Sequence, residues 1–166
     1  MSASLLSVAE WLERTQVGVL VRESLWGFQV VVAVHILGLA LSAGTVLWFD
    51  LRLLGLSMQG VPVSTVYRRI MPWAFAGFFV MFTSGGALLA GFATAAYGNL
   101  FFRLKAAALL LAGLNALVYH LVTERHIAGW DTAARPPLVA RMAGLVSILL
   151  WTGVVLAGRM MSYTMF

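Results

Sequence analysis

The chain has 166 residues, 61% of them hydrophobic and 10% charged, with a mean hydropathy of +0.93; soluble domains carry about a quarter charged residues, so an ordinary water-soluble fold is excluded. The absence of cysteine removes disulfide frameworks, thiolate zinc sites, iron–sulfur clusters, covalent c-type haem attachment and cysteine nucleophiles. A formal charge of +5 would suggest nucleic acid in a soluble protein, but here the 11 Lys and Arg fall at the ends of apolar runs, as membrane anchors do, and no nucleic-acid partner is expected.

Residues 1–25 lack the basic start and small-residue cleavage site of a secretory signal. Leu5, Val8, Ala9, Leu12 and Val19 recur at helical spacing, and Ser7-Val8-Ala9-Glu10 matches a capping box. The segment is therefore expected to form one interfacial amphipathic helix, with Trp11 at headgroup level. From residue 26 onward, four stretches reach the length of about 20 apolar residues that a bilayer crossing needs. Trp26 to Phe49 carries no charge, and the run from Ile70 to Phe102 is uncharged as well, with a turn at Tyr97-Gly98-Asn99. Ala106 to Thr123 and Met142 to Gly158 are shorter, but flanking Lys105, Arg141 and Arg159 can snorkel to the headgroups and extend them. Spans are expected over about 26–49, 72–96, 102–124 and 138–160. The fold class is an all-α membrane protein: a four-transmembrane-helix bundle, residues 26–166, preceded by the interfacial helix.

An up-and-down bundle puts both termini on one side, side A. Arg52, Arg68, Arg69, Arg125, Arg135 and Arg141 then lie on side B, against Arg14, Arg22, Arg103, Lys105 and Arg159 on side A. This small excess tilts side B to the cytoplasm and the termini to the periplasm.

His35 is the sharpest chemical signal, because an imidazole in the middle of an uncharged span is costly without a partner and marks a ligand, a proton relay or a metal site. A histidine bonded to a neighbouring helix for packing alone is the alternative. At its depth the antiparallel second span presents Ser84-Gly85-Gly86, and Gly85 and Gly86 can make room for a flat macrocycle or for a tight helix crossing. His120 lies near the side-B end of the third span, with Glu124 four residues on as a possible proton acceptor for its second nitrogen. His126 reads as a solvated loop residue. Counted at 1.5 Å per residue, His35 and His120 differ in depth by about 13 Å, too far for both to ligate one iron, so two separate sites fit better. Arg22, Arg103, Lys105 and Arg159 gather near side A and can pair with haem propionates or simply snorkel. Met81 is a candidate soft ligand, Trp151 is deep enough to contact a cofactor, and Asn115 can bond across helices. Asp50 and Arg52 can form an ion pair with Arg141. Nothing in the chain resembles a nucleophile with an attached base or a phosphate-cradling glycine loop, so a hydrolase is not expected.

The run His35-Ile36-Leu37-Gly38-Leu39-Ala40, then Phe49-Asp50-Leu51-Arg52-Leu53-Leu54-Gly55, Pro72-Trp73, Lys105 with Asn115 and His120, and Trp151 with Gly158-Arg159 resembles a group of small bacterial integral-membrane proteins of unassigned function. That group is similar in layout to copper-resistance D-type membrane domains and, more distantly, to four-helix b-type cytochromes. The resemblance implies a bundle in a bacterial inner membrane with His35 and His120 as haem or metal ligands. The chain departs from the cytochrome pattern in having no second pair of intramembrane histidines at matched depths. The expected function is that of a b-type haem protein in electron transfer or redox sensing, with one or two haems. Copper binding or transport through His35, His120 and Met81, and a purely structural subunit, are the alternatives. The partners expected are the lipid bilayer, an unidentified redox partner and further copies of the chain in a homo-oligomer.

Overall fold

The computed structural model describes residues 3–165. Seven α-helices are found among them: α1 (Ala3–Glu13), α2 (Gln16–Glu23), α3 (Gly27–Leu53), α4 (Val63–Gly91), α5 (Ala93–Gly98), α6 (Leu100–Val118) and α7 (Leu138–Met165). Beyond α6 the chain continues through a π-helical turn at Tyr119–Thr123 and a 3-10 turn at Glu124–Gly129. Four helical stretches, Gly27–Leu53, Val63–Gly91, Leu100–Thr123 and Leu138–Met165, are long and apolar enough to cross a membrane.

The N-terminal segment forms two helices, not the single one expected. Trp11 and Leu12 carbonyls close a turn onto Arg14 and Thr15, and the Thr15 hydroxyl accepts from the Gly18 amide at 3.2 Å to start α2. Ser7 lies inside α1 rather than at its cap, so the capping-box pattern is not what starts this helix. The two short helices are held by chain far away in sequence. Glu13 accepts hydrogen bonds from the Thr94 amide (2.8 Å) and hydroxyl (2.6 Å), which fastens α1 to the first turn of α5. Gly18 and Gly91 let α2 lie backbone-close on the end of α4, where a Cβ on Gly18 would stand 2.7 Å from the Ala90 carbonyl oxygen.

This latch is pH-sensitive. Burial pushes the Glu13 carboxyl up, but the two Thr94 bonds and the Arg22 guanidinium outweigh it and hold it below its ordinary value. A lowered carboxylate contributes stability above its unfolded value of about 4.3 and loses it as pH falls through the folded value. Thermal unfolding in detergent is expected to show wild type losing stability below about pH 4, whereas Glu13→Gln is the weaker protein at neutral pH and loses less on acidification.

Helix α3 ends where Gly55, at φ +73°, allows the Leu56 amide to reach back to the Leu51 carbonyl, a closure that favours glycine. Helix α4 starts at Val63, nine residues before the expected position, and carries Pro72 within it. From the sequence this span is expected to begin at about residue 72, within the uncharged run that opens at Ile70. The earlier start comes from Asp131, which accepts from the Ser64 amide and hydroxyl (both 2.7 Å) while its own carbonyl takes the Val63 amide (3.0 Å). A residue from the α6–α7 connection thus supplies the N-terminal cap of α4. Helix α4 also stops earlier than expected, at Gly91, with α5 split off after Phe92. Asn99 caps α6 by accepting from the Phe101 and Phe102 amides.

The helices pack as two antiparallel pairs, α3 on α4 and α6 on α7, joined through α3 and α7, while α4 and α6 meet at most marginally. Gly38 and Gly77 bring α3 and α4 together backbone to backbone. A Cβ on Gly77 would lie 2.5 Å from the Ser42 nitrogen and 2.9 Å from its Cα; backbone cannot swing aside, so Gly77→Ala must part the helices. We expect it to cost about 1–3 kcal/mol of stability, whereas Gly153→Ala, at a position with no atom within 4 Å, costs none; thermal unfolding of the two variants checks this. In the second pair, Asn115 donates to the Ala143 carbonyl at 3.0 Å. At the side-B end the four long helices converge on one core of Phe49, Leu53, Val63, Val66, Tyr119 and Ala140. Among the described residues no second cluster of this kind lies toward side A, and α4 and α6 have few contacts with one another.

Candidate functional site

His35 points from α3 onto α4. Its Nδ1 lies 3.0 Å from the Met81 carbonyl oxygen and 3.1 Å from Ser84 Oγ. A carbonyl can only accept, so Nδ1 carries the proton; Ser84 gives its own hydroxyl proton to the Val80 carbonyl at 2.6 Å and accepts from the ring as well. The neutral imidazole therefore has its lone pair on Nε2, which meets no protein partner among the described residues. An Nδ1–H fixed by a backbone carbonyl with Nε2 left open is the arrangement of a metal-ligating histidine. Gly85 lies directly beside the ring, since a Cβ there would come within 3.0 Å of Cε1. Any side chain at this position would push the imidazole off its two acceptors.

Lys105 stands on α6. Sequence reasoning lets it snorkel outward, but its stem lies against Gly158 of α7, whose missing Cβ would sit 3.7 Å from Nζ. The ammonium is within electrostatic reach of the His35 ring and has no hydrogen-bond partner among the described residues. His35 and Lys105 are each 18 residues from the side-B ends of their spans, so both lie about 27 Å above that end. The Trp151 and Phe78 rings meet at 5.5 Å, seven residues below Gly85 along α4, and form a floor about 10 Å nearer side B. His35 and Gly85 thus meet where α3 packs on α4, with Lys105 on α6 at a similar height and Trp151 of α7 against Phe78 nearer side B.

The other expected site residues lie elsewhere. Gly86 faces away, with nothing within 4 Å, so only one of the two adjacent glycines makes room at the ring. Met81 is buried at 3% exposure with its sulfur 3.9 Å from Ser42 Oγ, and it serves the site through its carbonyl. Arg22 pairs with Glu13 and Glu23, Arg103 donates to the Tyr97 carbonyl at 3.1 Å, and Arg159 bonds Tyr163 Oη at 2.7 Å and covers its ring. These three arginines are engaged at the surface and do not converge with Lys105. His120 sits in the π-helical turn, exposed, with its ring stacked on Tyr67 at 6.3 Å; the side chain of Glu124, its expected partner, lies outside the described residues. His126 is exposed and bonds the Val122 carbonyl.

The expected Asp50–Arg52–Arg141 ion pair does not form. Arg141 is exposed. Asp50 turns to Ser147, and Arg52 donates to two loop carbonyls, Val61 (3.0 Å) and Ala133 (3.1 Å). Among the described residues no group of three or more His, Asp or Glu could hold a metal ion. Sequence reasoning missed the part played by the Met81 carbonyl, for which no signal exists, and that of Ser84 as acceptor, which its helical register opposite His35 could have suggested.

The sequence matches DUF6644, a family of unknown function, over residues 8–164, and the chain belongs to that family. No curated protein and no solved structure matches it.

Proposed function

We propose that the protein is a membrane-embedded b-type haem protein that passes or senses electrons, with His35 as an axial ligand through Nε2. The observation that carries this reading is the fixed tautomer: the Met81 carbonyl and Ser84 hold the proton on Nδ1, leaving Nε2 as a neutral nitrogen donor. Haem suits a site with a single strong protein ligand because the macrocycle supplies four of the iron's nitrogens itself. Copper held by protein side chains alone needs several donors at once, and the Met81 sulfur is turned to Ser42, so the donor set favours haem. Lys105 is the cation placed to meet a propionate, Gly85 keeps the ring clear, and Trp151 with Phe78 closes the proposed site below.

His120, on the outer face at the other end of the bundle, would serve a separate site, completed by a further copy of the chain or by a redox partner. The visible spectrum and pyridine haemochrome of the protein purified from its membrane test the proposal directly. A Soret band with b-type haem in stoichiometric amount is expected; a colourless protein containing no haem overturns it, and one containing copper selects the alternative.

A further inference from the structure

A second site lies on the opposite flank of α3. Between α3 and α7 runs a groove of about 300 Å³ with Asp50 at its deep end. Its walls differ in character: Gly44 on α3 presents bare backbone, with no atom within 4 Å of where a Cβ would stand, and Trp151 on α7, whose ring also meets Phe78 at 5.5 Å, lines the facing wall. Val155 and Leu156, 45% and 60% exposed, form the mouth on the surface that faces lipid.

Asp50 is unusual in this setting. It is 4% exposed, Ser147 lies close enough to act on it, and Oδ2 is buried with no hydrogen-bond partner among the described residues. A buried, unpartnered acceptor is costly, and Asp50 is one of the residues that line the groove, so a small shift of its side chain would offer Oδ2 to a ligand there. The complement of a lone acceptor is a donor. A neutral hydroxyl leaves the bilayer at far lower cost than an ammonium, whose charge would have to be carried through hydrocarbon. The slot between a glycine backbone and an indole face admits a flat ring more readily than a branched head.

We infer that this groove binds a membrane-soluble hydroquinone, with its ring between Gly44 and Trp151, one phenolic hydroxyl donating to Asp50 Oδ2, and its apolar tail leaving past Val155 and Leu156 into the bilayer. The inference concerns binding alone and stands independently of the haem.

The test titrates the full-length protein in lipid nanodiscs, under anaerobic conditions, with decyl-1,4-hydroquinone and reads the heat of binding. Saturable binding at one site per chain is expected. Asp50→Asn keeps the shape but replaces one carboxyl oxygen by an amide nitrogen that can only donate, and should weaken binding about tenfold or more. Gly44→Leu fills the slot from a position with free space around it and should abolish binding while thermal stability stays near wild type. The dimethyl ether of the same hydroquinone, which has no donor, should not bind. The inference is overturned if wild type shows no saturable binding, if the ether binds as well as the hydroquinone, if Gly44→Leu binds normally, or if a decyl alcohol or decylamine competes with equal affinity.

Discussion

If the chain holds haem as proposed, a His35→Ala variant is expected to purify in normal yield and without a Soret band. In the proposed site this takes away the iron's bond to the protein, and the remaining contacts from Lys105 and Trp151 are too few to hold the macrocycle. The substitution is mild for the fold. His35 is half-buried, and the two groups it leaves can satisfy one another, because Ser84 Oγ is already 3.2 Å from the Met81 carbonyl. Two graded variants separate ligation from packing. Ser84→Ala removes one of the two acceptors but leaves Nδ1–H on Met81, so haem should remain, bound about 10-fold to 100-fold more weakly, as is common when a partner behind a ligand is lost. Gly85→Val crowds the ring, because even a Cβ there would stand only 3.0 Å from Cε1, and should strip haem much as His35→Ala does without touching the ligand. Added imidazole should restore a Soret band to His35→Ala by entering the vacated space, and should not restore it to Gly85→Val. A Soret band of unchanged position and height in His35→Ala would end the haem reading at this residue.

The difference between what the amino-acid order reveals here and what it hides follows the range of the interactions. Four long apolar helices are legible because each is a local property: about 20 residues without charge satisfy their own backbone in lipid whatever they pack against. The depth of His35 and the register of Ser84 and Gly85 opposite it follow from counting 1.5 Å per residue along two antiparallel helices, and the ring does rest on those residues. Helix ends are a different matter. The start of α4 depends on Asp131, 67 positions from Ser64, and the docking of α1 depends on Thr94, 81 positions from Glu13. Neither partner lies within any sequence window, so Pro72 read as a beginning and residues 1–25 as one helix.

Side-chain direction is the other thing hidden. A lysine and four arginines near one side of a bundle look alike in a sequence, each a long cation at the end of an apolar run. What separates Lys105 from Arg22, Arg103 and Arg159 is the surface opposite: Gly158 leaves space for a stem to fold inward, while the three arginines have a carboxylate, a carbonyl or a phenol within reach outside. Asp50 is the same lesson with the sign reversed. Beside Arg52 in the chain it reads as half of an ion pair, yet two residues apart on a helix point about 200° apart, so one lines a groove and the other crosses a loop.

Arg52→Ala is expected to give the largest loss of stability in the chain. The side chain is completely buried and its two hydrogen bonds tie together the α3–α4 loop, at Val61, and the α6–α7 loop, at Ala133. Truncation leaves both carbonyls without a donor, opens a void of several methylene groups beside Leu53 and Val63, and removes the positive neighbour that helps hold the Asp131 carboxylate in its capping role. Together these amount to about 3–5 kcal/mol, typical of breaking a buried charged network from one side. Arg52→Lys should recover little of it, since one ammonium on a shorter stem cannot span both loops. The effect should also travel. Helices α4 and α6 hardly touch, so the spacing of the two pairs around the proposed site is set from the side-B end, where Arg52 and the Phe49–Tyr119 core are the cross-links. His35 is 17 residues away along α3, about 25 Å, and yet, with haem bound as proposed, Arg52→Ala should release it at a lower temperature than wild type, with the Soret and helical-ellipticity transitions moving down together. His35→Ala should shift the helical transition much less. If Arg52→Ala unfolds at the wild-type temperature, the loops are not the fastening point of the bundle, and the spacing of the two pairs must be held by α3 and α7 alone.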